Sequence, residues 1–184
     1  MSTSCGSVCL LVLLGAVLAF GSPRWHVPAD MIQTHESIAQ LLGLKQPEIG
    51  TKPLFSSVIR SINTSCQRKE DIMLINATLS IYTRIFSSIL QHGHDHHNSQ
   101  HHDKASALLD QLSDSEKTRV KTVVKTFQQE MEKLKRNLGQ VDTDKEDVLS
   151  ELNKIKVDDP IDQRKALAEY QQIYQAASVI SSQS

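Results

Sequence analysis

The stretch EDIMLINATLSIYTRIFSSIL, residues 70–90, decides how the chain folds. Ile72, Ile75, Leu79, Tyr82, Phe86 and Ile89 recur at three- and four-residue steps and form one helical stripe. Leu74, Ile81 and Ile85 cover much of the opposite side, so that only a narrow strip with Lys69, Asn76, Ser80, Thr83 and Ser87 stays polar. A helix apolar most of the way round is one that its neighbours surround. The spacing therefore predicts the central helix of an all-α bundle.

The neighbours are legible on both sides of it. Upstream, VPADMIQTHESIAQLLGLK places Met31, Ile38, Leu41 and Leu42 near helical spacing, with Gly43 as a stop, and predicts a helix over 29–43. KQPEIGTKP, with two prolines and a glycine, reads as an irregular connection, and LFSSVIRSI as a short helix over 54–62. Downstream, 103–112 suggests a short helical turn. Ser113-Asp114-Ser115-Glu116 has the capping-box pattern, followed by a stripe of Val120, Val123, Val124, Phe127, Met131, Leu134 and Leu138 that Gly139 ends. Thr143 with Glu146 opens another short helix, with Val148, Leu149, Leu152 and Ile155 facing inward. Asp159-Pro160 caps a last one, which carries Leu167, Tyr170, Ile173, Tyr174, Ala177 and Ile180. Six helices are expected, with no internal repeat and no alternating strand.

Residues 5–20 form an uncharged apolar run, too short to span a membrane and followed by small residues, which reads as a signal peptide over 1–21 cleaved after Gly21. A secreted, extracellular protein is expected, with residues 22–184 as one domain large enough to bury a core. Cys5 and Cys9 fall within the signal, so Cys66 remains alone, either as a buried thiol or as an intermolecular bridge. A formal net charge of -1 gives no global attraction to nucleic acid or to an anionic membrane surface.

Catalytic patterns are missing: there is no phosphate-binding glycine loop, no HExxH, no CxxC after the signal and no nucleophile elbow. Neither an enzyme nor a cofactor is expected. Asp142, Asp144, Glu146 and Asp147 sit where a helix start favours negative charge. Asn63-Thr64-Ser65 and Asn76-Ala77-Thr78 are acceptor triplets for N-glycosylation, which makes Asn63 and Asn76 the candidate modification sites. The basic residues between 117 and 136 are interrupted by Glu116, Glu130 and Glu132 at its edge and within it, so a solvated helix face is expected before glycosaminoglycan binding. HGHDHHNSQHHD supplies His92, His94, His96, His97, His101 and His102 to an interhelical loop at 92–102. Six imidazoles could capture zinc or copper, but no helical pair with a third ligand fixes a geometry, so opportunistic binding is expected rather than a required metal. Joint protonation in acid is a second reading of the same run. A secreted bundle of helices without catalytic machinery suggests a signalling ligand, of which helical cytokines are one class, and a histidine-rich metal carrier is the alternative.

Ile161 to Ile173, IDQRKALAEYQQI, resembles the signature of the interferon gamma family: Gln163, Lys165, Ala166, Glu169 and Ile173 match, while Asp162 and Tyr170 stand where the family has an aliphatic residue and Leu or Phe. LFSSVIRSI and the helix containing YTRIF resemble the family's second and third helices, and the likeness in element order covers nearly all of 22–184. Nothing after Lys165 is basic, which is similar to the interferon-gamma-related branch, where the family's basic tail can be missing. The resemblance implies a six-helix cytokine that forms an intertwined homodimer, its last two helices packing into the partner. It also implies signalling through a class II cytokine receptor, with antiviral and macrophage-activating outcomes and receptor contacts at about residues 29–53. Folding of those two helices back onto their own chain is the alternative. In either arrangement Ala166 offers a close approach between helices.

Overall fold

The burial that the central helix demands is met by helices alone. The computed structural model describes residues 27–64, 68–91, 108–138 and 146–182, without the side chains of 63, 64, 68 and 146–148. Among these it has seven helices and no strand: α1 Ala29–Ala39, α2 Pro47–Gly50, α3 Ser56–Thr64, α4 Arg68–Gln91, α5 Asp114–Leu138, α6 Glu146–Asn153 and α7 Pro160–Ser182. α4 is packed against α3, α5, α6 and α7, and its Leu74, Ile75, Leu79, Tyr82, Ile85 and Phe86 have no exposed surface. By length and composition Lys69–Gln91 would also suffice to cross a membrane. Its cover within the fold accounts for that apolarity.

The remaining elements follow their local signals. Ser113 Oγ accepts from the Glu116 N–H at 3.4 Å, and the Glu116 carboxylate accepts from the Ser113 N–H at 2.9 Å, so α5 opens on a reciprocal cap. All seven residues of its predicted stripe are buried. Asp159 Oδ1 accepts from the N–H groups of Ile161 and Asp162 at 2.9 and 3.0 Å, and Pro160 takes the first helical position of α7.

Aromatic rings join α3, α4, α5 and α7 at the centre. Tyr170 of α7 stacks on Phe127 of α5 with centroids 3.9 Å apart, and Phe55, just before α3, stacks on Tyr82 of α4 at 4.8 Å. Tyr170 is fully buried, yet its hydroxyl has no hydrogen-bond partner among the described residues, and burial pushes its pKa far upward. An unsatisfied buried hydroxyl costs about 1–3 kcal/mol. Tyr170→Phe is therefore expected to raise unfolding stability by about 1 kcal/mol, read from chemical denaturation; a loss of stability would mean that the hydroxyl is bonded after all.

Three departures from the sequence reading concern the segment between α1 and α3. α1 is regular to Ala39 and then continues as hydrogen-bonded turns to Gly43, whose φ of 59° ends it. The Leu44 N–H reaches Ala39 O at 2.9 Å and the Gly43 N–H reaches Gln40 O at 3.2 Å, a closure that needs a left-handed residue at 43. The expected irregular connection contains the one-turn helix α2, started by Pro47, with Ile49 buried. The short helix predicted over 54–62 lies two residues later, because Leu54 and Phe55 serve as its approach. Of the turn suggested at 103–112, only 108–112 is described, as a turn closed by the Leu112 N–H on Leu109 O at 3.1 Å.

Candidate functional site

α7 presents one row of polar side chains to the segment that runs from α1 to α3, and their chemistry matches the backbone groups they meet. The end of a helix leaves carbonyls without partners and its start leaves N–H groups without partners. At the end of α1, Arg164 Nε donates to Leu42 O at 2.7 Å and its Nη2 donates to Gly43 O at 3.0 Å and to the Gln46 side chain. Approaching α3, the Glu169 carboxylate accepts from the Leu54 and Phe55 N–H groups at 2.7 and 3.0 Å. A cation thus sits at a helix C-terminus and an anion at a helix N-terminus, both favoured by the helix dipoles. Between them, Lys165 Nζ donates to Lys52 O at 3.3 Å. Glycine is needed at 43 for its positive φ, and a Cβ there would lie 2.7 Å from Arg164 Nη2 and so would also push the guanidinium and the Gln46 side chain aside.

Three buried polar side chains complete the attachment. His35 Nε2 lies 2.8 Å from Leu167 O, which assigns its proton to that nitrogen, and its ring stacks near Phe127 with centroids 6.1 Å apart. Gln163 Nε2 donates to Val157 O at 3.0 Å and to Ser88 Oγ at 3.2 Å. Tyr82 Oη donates to Ala166 O at 2.9 Å. Burial first, then the nearby Glu169 carboxylate, hold the Tyr82 pKa well above its usual range, so it remains a donor.

For Glu169 itself, burial outweighs the two backbone N–H donors and the nearby Lys165, and its pKa lies above the ordinary glutamate value. The folded chain then binds its proton more readily than the unfolded one. This contribution to stability is largest below pH about 4.5 and is lost as pH rises through the raised value. Glu169→Gln keeps one acceptor oxygen and cannot titrate. The expected result is a flatter stability curve above pH about 4.5 than that of the parent chain, measured by urea unfolding at a series of pH values; parallel curves would refute the assignment.

The five signature residues come together on α7: Gln163, Ala166 and Ile173 are buried, and Lys165 and Glu169 are half-buried against the α1–α3 segment. Asn76 is half-buried on α4, and Thr78 of its triplet is fully buried, donating to Leu74 O at 2.8 Å. Asn63 falls in the last turn of α3. On α5, Arg119, Lys125, Lys133 and Arg136 are exposed. Among the described residues no group of three or more His, Cys, Asp or Glu could hold a metal. The expected signal peptide, Cys66, the histidines at 92, 94, 96, 97, 101 and 102, and Asp142 and Asp144 lie outside the described residues.

Sequence reasoning passed over His35, Lys52 and Arg164. His35 had a local signal, since it fills the gap between Met31 and Ile38 on the buried stripe of α1. Arg164 had none, because its partners are more than a hundred residues away. A groove of about 440 Å³ runs beside Arg164, bounded by Gln40, Leu41, Gln46, Leu112 and Pro160. Comparison with family models, curated proteins and solved structures gives no match to this chain.

Proposed function

We propose that the protein is a secreted type II interferon-like cytokine. It engages a class II cytokine receptor through α1 and the segment from α1 to α3, and it triggers kinase and transcription-factor signalling for antiviral and macrophage-activating responses. One observation carries the reading: the five residues of α7 that resemble the interferon gamma signature are among those that fasten α7, beside Arg164 and Leu167. Gln163 bonds Ser88 and Val157, Lys165 meets Lys52, the Ala166 carbonyl receives Tyr82, Glu169 caps the approach to α3, and Ile173 is fully buried. A pattern that governs packing is what a family resemblance in a non-catalytic helix would select.

The proposed active form is an intertwined homodimer of six-helix cytokine chains. The seat between α4 and α5 that the chain's own α7 fills here would then be filled by the partner's α7, with the crossing made between α5 and α6. No catalysis and no cofactor belong to this reading, and the protein acts by contact.

Transcription-factor phosphorylation in responsive cells tests it, using purified 22–184 beside a variant with its six loop histidines changed to Ser. Equal signalling from both is expected. Silence from both in cells of proven responsiveness would refute the cytokine reading. Signalling from the parent alone would put metal or protonation of the loop into the mechanism and favour the histidine-rich metal-binding reading of that segment.

A further inference from the structure

α4 combines two features that signalling does not use. Over Lys69–Gln91 it is long and apolar enough to cross a membrane, and it carries the acceptor triplet Asn76-Ala77-Thr78 within that length. Between Asp71 and the end of the helix the only charge is Arg84, which stands about two turns from that end, where its long side chain can reach an interface. The hydroxyls oppose a bilayer little. Thr78, Ser80 and Thr83 each donate to the carbonyl four residues back, Leu74 O at 2.8 Å, Asn76 O at 2.9 Å and Leu79 O at 3.0 Å. Asn76 is the exception, because it can carry a bulky, hydrated glycan. At 1.5 Å per residue it lies about 7 Å past Asp71, a depth that falls within the hydrocarbon of a spanning helix.

The fold has room for that glycan. Neighbouring helices cover α4 except along one strip, where Asn76, Ser80, Thr83 and Ser87 are half-buried and Arg84 beside them is exposed. Asn76 Oδ1 is itself covered, so a glycan on the amide nitrogen leaves along the open strip. Thr78 is fully buried with its hydroxyl engaged, so the triplet is an acceptor only before α4 forms and packs.

We propose that glycosylation of Asn76 fixes the topology of α4: the glycan, added to the unfolded segment, bars it from the bilayer and commits it to the aqueous fold. This rests on the secreted reading above, since membrane and modification both belong to the secretory pathway.

The test synthesises the full chain 1–184 with sealed microsomes, beside Asn76→Gln and Asn76→Asp. Peptide mass spectrometry reads occupancy of Asn76. Added protease reads topology, because the chain after Gln91 faces outward only when α4 has stopped in the membrane. The parent is expected to be occupied and protected. Asn76→Gln is expected to raise the digested fraction severalfold, and Asn76→Asp, which puts a short charged side chain at the same depth, to bring it back down. A translocated parent bare at Asn76 overturns the proposal, and so does Asn76→Gln as well protected as the parent. Asn76→Gln that aggregates while protected also overturns it, since the glycan then serves solubility alone. Asn76→Asp digested like Asn76→Gln does the same, because polarity at that depth is then not the cause. A parent left wholly outside the vesicles overturns the secreted reading and the proposal together.

Discussion

Phe127→Ala is expected to lower the free energy of unfolding by about 3–5 kcal/mol. Phe127 has no exposed surface, and its ring contacts reach three other helices: Tyr170 of α7 with centroids at 3.9 Å, His35 of α1 at 6.1 Å and Phe86 of α4 at 6.5 Å. Truncation forfeits the transfer of a large ring out of water and leaves a cavity that helices pinned from several directions cannot close. The site also backs His35, so part of the loss falls on the His35 bond to Leu167 O. Phe127→Leu leaves most of the volume filled and is expected to cost about half as much. Chemical denaturation decides it, and a loss below about 1 kcal/mol in the alanine variant would show that the ring cluster is not where the core is concentrated.

Ala166→Leu should cost about 1–3 kcal/mol by the opposite fault, overpacking. Ala166 is fully buried, and its carbonyl receives Tyr82 Oη at 2.9 Å, so α7 and α4 meet there with no room for a branched side chain. The added carbons would have to move α7 away from α4, and that displacement would stretch the bonds of Gln163 and Glu169 on the same helix. Two readouts are expected together: a lower unfolding midpoint, and faster exchange at the Leu54 and Phe55 amides that Glu169 holds. Ala166→Gly removes a methyl without crowding and should cost only about 1 kcal/mol, mostly as helix propensity. If leucine is tolerated as well as glycine, the close approach inferred here is wrong.

The regular parts of this fold were legible because their causes are local. Apolar residues at three- and four-residue steps marked α4, α5 and α7, and side-chain caps within four residues of the helix start marked the beginnings of α5 and α7. Pro47 and Gly50 were read as breakers, yet proline at a first helical position starts a turn as well as it ends one, and the buried Ile49 gives α2 a reason to form. The signature on α7 could be recognised as a pattern, but what its residues do was hidden. Glu169 carries no mark in the sequence of being a cap for Leu54 and Phe55, since the capped groups stand 115 and 114 residues away. The left-handed backbone at Lys52, with φ of 55°, was hidden as well, since no glycine or asparagine marks it and the Lys165 bond to its carbonyl comes from 113 residues away.

Those distances along the chain have a consequence for biosynthesis. His35 is bonded 132 residues ahead to Leu167, Leu54 is bonded 115 residues ahead to Glu169, and Tyr82 is bonded 84 residues ahead to Ala166. The core therefore cannot close until α7 has been synthesised, and between the completion of α4 at Gln91 and the start of α7 at Pro160 the nascent polypeptide carries a helix long and apolar enough to cross a membrane without its full cover. A message truncated before Pro160 yields a product that lacks α7 and leaves the apolar faces of α4 and α5 exposed, the kind of surface that makes incomplete chains prone to aggregate.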